Sequence, residues 1–136
     1  MTPTLSHTAT FRVYYEDTDA GGVMYYANYL KFAERARTEL LRSLGISQSE
    51  LSAGEGIAFV VRRCEIDYKA PARLDDLVTV ETLLHEIGNA RMTLRQAILN
   101  GTRELAGIRV DIVSVNAEMK PVRLPEKIKK LLVSGC

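Results

Sequence analysis

Between Tyr25 or Tyr26 and Ser43 the chain carries one long helical pattern, and nothing after it keeps that period. Tyr26, Tyr29, Leu30, Ala33, Ala36, Leu40, Leu41 and Leu44 fall on one side at ~100° per residue, with Lys31, Arg35, Thr38, Glu39 and Arg42 opposite. Gly45 marks the end of the pattern. At ~1.5 Å per residue this helix is about 27 Å long, enough to cross a whole sheet. Arg37 interrupts the apolar side. Glu34, three residues earlier, is its expected ion-pair partner, at a sheet or subunit contact.

The remaining segments read as strands. Residues 7–15 alternate, with Phe11, Val13 and Tyr15 on one face, and four further runs cover 57–69, 77–87, 90–99 and 104–116. Gly88-Asn89 and Asn100-Gly101 supply hairpin turns between the last three runs, and 71–76 a longer one before them. An antiparallel meander is expected. Residues 46–56 read as a polar connection, and Pro125 to Leu132 as a short helix with Ile128, Leu131 and Leu132 on one side. One long helix with about five antiparallel strands makes an α+β fold in a single domain, 1–136. So small a sheet has free edges, which favour an oligomer.

The totals exclude several classes. With 136 residues there is room for one core, and a formal charge of +1 gives no general attraction to nucleic acid or to a membrane surface. No run approaches the ~18 apolar residues of a membrane span. The first residues, Met-Thr-Pro-Thr-Leu-Ser-His, lack the features of a secretory leader, and Cys64 and Cys136 are too few for a disulfide framework. A soluble cytoplasmic protein is expected.

The chemistry concentrates just ahead of the long helix. Glu16, Asp17 and Asp19 are followed by Gly21 and Gly22, then by the helix start. Carboxylates can serve as base, nucleophile or metal ligand, and free N–H groups at a helix start favour a developing anion. Four readings of the segment stand side by side. A calcium loop would need a closing glutamate, and Met24 to Leu30 carry none. An aspartyl phosphotransferase would need a parallel α/β architecture. A turn and capping cluster would use Asp19 to satisfy backbone N–H groups. Hydrolysis would set a carboxylate opposite N–H donors. Other hydrolytic motifs, Gly-x-Ser-x-Gly and His-Glu-x-x-His, are missing. Cys64 reads as a core residue, Cys136 has no framework around it, and His85 has no partner placed by sequence.

Tyr15-Glu16-Asp17-Thr18-Asp19-Ala20-Gly21-Gly22-Val23, with Tyr25, Tyr29 and Glu34-Arg35-Ala36-Arg37, resembles the hotdog-fold acyl-CoA thioesterases of the 4-hydroxybenzoyl-CoA thioesterase type, and within them the YbgC-type members encoded with the Tol-Pal system. Residues 58–62, 68–76 and 119–121 extend the likeness over nearly the whole chain. The resemblance implies a long helix wrapped by an antiparallel sheet, in a homodimer or homotetramer with sites between subunits. It implies hydrolysis of a small or medium acyl thioester, aliphatic or aromatic, of CoA or acyl carrier protein, with neither cofactor nor metal. Asp19 falls on the catalytic carboxylate, as nucleophile or general base, while Asp17 orders the loop. The Tyr26 N–H would face the thioester oxygen, and Gly22 and Val23 would let the backbone approach the substrate. Tyr26 stands where close relatives often carry histidine. Arg62, Arg63, Lys69, Arg73, Arg91, Lys120 and Arg123 are candidates for the CoA phosphates. The competing expectations are a hotdog dehydratase and a non-catalytic acyl-CoA or acyl-carrier-protein binding oligomer.

Overall fold

The computed structural model describes residues 5–134, so Cys136 lies outside the described residues. Five strands, β1 (Ser6–Arg12), β2 (Ala58–Tyr68), β3 (Leu77–Ile87), β4 (Arg91–Asn100) and β5 (Arg103–Val115), form one antiparallel sheet. The long helix α1 (Asn28–Ser43) lies on its inner face, with α2 (Gln48–Glu55) and α3 (Glu126–Ser134) beyond its far end. The sheet order is β1-β3-β4-β5-β2. An α+β arrangement of sheet around helix was expected, and it is what the chain adopts.

Alternation explains which residues face α1. Val78, Val80 and Leu84 of β3, Met92, Leu94 and Ile98 of β4, and Ile108, Val110 and Ile112 of β5 are all buried. Against them α1 buries Tyr29, Phe32, Ala33, Ala36, Leu40 and Leu41. The three residues Ala33, Ala36 and Phe32 are fully covered. Small alanines let the helix axis come close to the sheet while Phe32 fills the space beside β1, against Phe11.

Two apolar clusters result, with a polar row between them. One holds Val13, Met24, Tyr29, Phe32, Val78, Val80 and Ile98, and the other Leu40, Leu41, Leu84, Leu94, Val110, Ile128 and Leu132. The row runs across register partners His7, Thr82 and Gln96. Gln96 is buried and its amide is fully used: Nε2 donates to Ala33 O at 2.9 Å and to Thr82 Oγ1 at 3.0 Å, and Oε1 accepts from Arg37 at 3.1 Å. Among the described residues His7 Nδ1 is buried without a partner.

Several expectations need correction. Strand β1 stops at Arg12, and Tyr15, expected to face inward, opens a 3-10 turn (Tyr15–Asp17) and is exposed. Helix α1 begins at Asn28, leaving Tyr25 and Tyr26 in the entry turn; Tyr26 and Leu30 of the expected apolar stripe are exposed. The buried side is centred instead on Phe32, Ala33 and Ala36, where α1 meets β1, β3 and β4. Residues 48–55 form a helix, capped by Ser47 accepting the Glu50 N–H and closed by Gly56 at φ 66°. Only β3, β4 and β5 form a meander. Strand β2 pairs with β5, not with β3. Crossing three strand spacings takes about 14 Å, which an eight-residue link spans easily. That link, 69–76, passes under the start of α1 and becomes part of the loop described next.

Candidate active site

The segment from Thr18 to Met24 folds back on itself. The Asp19 N–H donates to Val23 O at 2.9 Å, the Gly22 N–H donates to Asp19 O at 3.1 Å, and Thr18 bridges Met24. The β2–β3 link closes its other side: Met24 N–H donates to Ala72 O at 2.7 Å, Leu74 N–H to Gly22 O at 3.3 Å, and Val23 bridges Arg73. Gly22 sits at φ 77°, a left-handed conformation that side chains with a Cβ rarely adopt.

The two aspartates of the loop differ sharply. Asp17 is 4% exposed. Its Oδ2 accepts the Tyr14 N–H at 2.9 Å, its Oδ1 accepts the Asn28 side-chain amide at 2.9 Å, and its carbonyl accepts the Tyr25 N–H at 2.9 Å. It ties the 3-10 turn to the first residue of α1. Asp19 is exposed, and its Oδ1 accepts only the Gly21 N–H, at 2.8 Å. Its other oxygen has no hydrogen bond within the described chain. A Cβ on Gly21 would stand 3.2 Å from Oδ1, so glycine there leaves the carboxylate its room.

Past the loop, the chain enters α1 through a tightened turn. Asn28 N–H donates to Tyr25 O at 2.9 Å and Leu30 N–H to Ala27 O at 3.2 Å. The N–H groups of Tyr26 and Ala27 take no hydrogen bond among the described residues. Four tyrosines surround this turn. Tyr25 and Tyr26 lie 4.7 Å apart by ring centroids, and Tyr68 meets Tyr26 and Tyr29 edge-on at 6.4 and 5.2 Å. The Tyr68 hydroxyl donates to Tyr26 O at 2.9 Å, a contact between residues 42 apart that local sequence patterns do not signal. Burial, with help from Cys64, Tyr26 and Tyr29, holds that hydroxyl above the ordinary tyrosine pKa, so it stays a neutral donor.

The other expected residues lie elsewhere. Arg37 is half-buried a few turns along α1; the expected Glu34 ion pair is not formed, and Gln96 accepts instead. Burial lowers the Arg37 pKa, with Glu34 and Cys64 partly offsetting it. Cys64 is exposed on edge strand β2 rather than in the core, and desolvation raises its thiol pKa. Of the candidate cations, Arg62, Arg63 and Arg91 line one cleft of about 190 Å³ with Asp111. Lys69 is paired with Glu104 at 3.0 Å, and Arg73 sits against the loop itself. His85 is exposed at an irregularity of β3.

The loop that carries the exposed carboxylate leads into the unpartnered helix-entry N–H groups, and the chain matches a known family across it. Residues 13–132 match the thioesterase-like superfamily. The chain belongs to the thioesterase-like superfamily. An acyl-CoA thioesterase YbgC from Haemophilus influenzae is 47% identical over 119 residues, covering 87% of this chain and 88% of the relative. An acyl-CoA thioester hydrolase YbgC from Shigella flexneri is likewise 47% identical over 119 residues, covering 86% and 88%. Among solved structures, a probable thioesterase from Bartonella henselae is 43% identical and superposes with a TM-score of 0.86, covering 88% of this chain and 99% of the other. The superfamily's sheet-around-helix architecture, the hotdog fold, is therefore the fold of this chain. Among its described residues no helix is long and apolar enough to cross a membrane.

Proposed function

We propose that this chain hydrolyses acyl-CoA thioesters, with Asp19 as its central group. The observation that carries the reading is the contrast between the two loop aspartates. Asp17 is consumed by structure, whereas Asp19 keeps an oxygen free on a loop that leads to unpartnered N–H groups. Those donors, at the positive end of α1, suit the oxyanion that forms when the thioester carbonyl is attacked.

Two routes fit the same groups. Asp19 attacks the carbonyl carbon, the C–S bond breaks, CoA leaves as thiolate, and water opens the mixed anhydride. Alternatively Asp19 takes a proton from water as the water attacks. A thiolate leaves easily, so neither route needs a strong acid. Single turnover in 18O-labelled water separates them, since only the anhydride route can leave label in the Asp19 carboxylate.

On this reading residues 1–136 are one hotdog domain that works as a homodimer or homotetramer in the cytoplasm. Edge strand β2 leaves Val61 and Tyr68 exposed. Antiparallel pairing of two β2 strands keeps both α1 helices on one face and sets the Ala58 end of one beside the Tyr68 end of the other. A cavity of about 270 Å³, lined by Phe59, Val61, Met92 and Leu94 with Glu34 and Arg37 on its polar side, then adjoins the loop of the second copy. It has room for a small or medium acyl group, aromatic ones included, carried by CoA or by acyl carrier protein.

Thiol release from a panel of short-chain, long-chain and aromatic CoA thioesters tests the reading. Turnover by the native chain that disappears in Asp19→Asn, with folding intact, supports it. Binding without turnover by the native chain would replace it with a binding module.

A further inference from the structure

Peptide groups at the start of α1 have their directions set by what holds their carbonyls. Among the described residues no peptide is cis, so each planar peptide sends its C=O and its N–H opposite ways. In the 25–26 peptide the carbonyl accepts from Asn28 N–H, which turns the Tyr26 N–H outward from the helix. In the 26–27 peptide the helix offers the carbonyl no donor. The expected one, the Leu30 N–H, is drawn to Ala27 O by the tightened first turn. The Tyr68 hydroxyl takes its place at 2.9 Å.

We propose that Tyr68 is a positioning residue for catalysis: by holding the Tyr26 carbonyl it aims the Ala27 N–H as a second oxyanion donor beside that of Tyr26. Tyr68 is the last residue of β2, so its backbone is fixed by the sheet through its pairing with Ala106. Its ring is wedged edge-on against Tyr26 and Tyr29. Tyr29 is fixed in turn, because its hydroxyl accepts the Ala72 N–H at 3.0 Å. The donor direction is therefore set by rigid elements rather than by the turn alone. Without the Tyr68 hydroxyl the 26–27 peptide keeps a carbonyl with no protein partner and can rotate, carrying the Ala27 N–H off line. Only the transition state has the full negative charge that feels this loss.

The inference rests on the thioesterase reading, and one assay keeps the two apart. Tyr68→Phe removes one oxygen and keeps the ring contacts. With a CoA thioester that the native chain hydrolyses, kcat is expected to fall on the order of 10- to 100-fold, with KM changed less than about threefold. Affinity for a non-hydrolysable ketone analogue of the same thioester, methylene replacing sulfur, is expected to stay within the same threefold. Undiminished kcat in Tyr68→Phe overturns the proposal. So does a loss shared equally by kcat, analogue affinity and thermal stability, which marks a purely structural tyrosine. Failure of the native chain to hydrolyse any member of the panel removes the thioesterase reading itself, and the inference with it.

Discussion

Asp17 Oδ1 and the Asn28 side-chain amide meet at 2.9 Å, both buried, joining the acidic loop to the first residue of the long helix. This bond makes Asp17 a structural residue in a segment whose spacing alone would allow any of its carboxylates to do chemistry. Asp17→Ala leaves the buried Asn28 amide and the part-buried Tyr14 N–H without their acceptor, and unfolding by urea should report a loss of about 2–4 kcal/mol. Asp17→Asn, once folded, is expected to retain more turnover than Asp19→Asn. Asp19→Asn keeps an oxygen for the Gly21 N–H and so should leave the melting temperature nearly unchanged while lowering kcat by on the order of 10³-fold or more. The reverse ranking of the two asparagine variants would remove Asp19 from the centre of the mechanism.

Gly22 tests the loop backbone. Nothing lies within 4 Å of a Cβ built there, so substitution meets strain at φ 77° rather than a clash. Gly22→Ala should cost about 1 kcal/mol, and Gly22→Asn less, because asparagine tolerates the left-handed region. Equal destabilisation by both, in matched denaturation curves, would contradict the backbone account.

Asp111 gives a pH prediction with a fixed sign. The Thr93 hydroxyl, at 2.7 Å from Oδ1, is the main reason this carboxyl stays below the usual range; Arg109 and Arg63 add smaller effects against a desolvation cost. A carboxyl that is a stronger acid in the folded state adds stability above the ordinary aspartate pKa of about 4, and that contribution fades as pH falls through the depressed value. Thr93→Val, nearly the same shape, should therefore flatten the acid limb of a melting-temperature profile while changing little near pH 7 beyond a constant offset. An unchanged acid limb would count against the hydroxyl as cause.

Val61, about half exposed on β2, tests the proposed pairing. Val61→Lys puts a charge on that edge and should shift the chain toward monomer in light scattering; because Val61 also lines the proposed acyl cavity, activity should fall at least as far as the monomer fraction rises. Full activity in a strictly monomeric variant would show that the site is complete in one copy.

Local patterns made much of this protein legible. Alternation picked the buried faces of β3, β4 and β5, and Asn100-Gly101 marked a true hairpin, with Gly101 at φ 63°. The Asp-Thr-Asp-Ala-Gly-Gly segment pointed to the loop. Other features depend on partners distant in sequence. Arg37 and Gln96 are 59 residues apart, so the spacing of Glu34 and Arg37 on one helix suggested the wrong partner. Tyr26 fits the helical period yet sits outside the helix, because the first turn is tightened, and its carbonyl is met instead by Tyr68 from 42 residues away. Helix α2 did have a local signal, Ser47 three residues before Glu50, masked by the glycines around it. The link after β2 looked like a hairpin because nothing within it says that β5 will already occupy the inner side of β2.

The polar row of His7, Thr82 and Gln96, closed by Arg37, acts as a bulkhead amidships. One compartment carries the loop and its tyrosines; the other seats α2 and α3. The proposed site draws on both sides of that partition, its carboxylate from the forward one and, across the pairing of two copies, its acyl cavity from the rear of the other, so neither half of the hull works without its twin's opposite half.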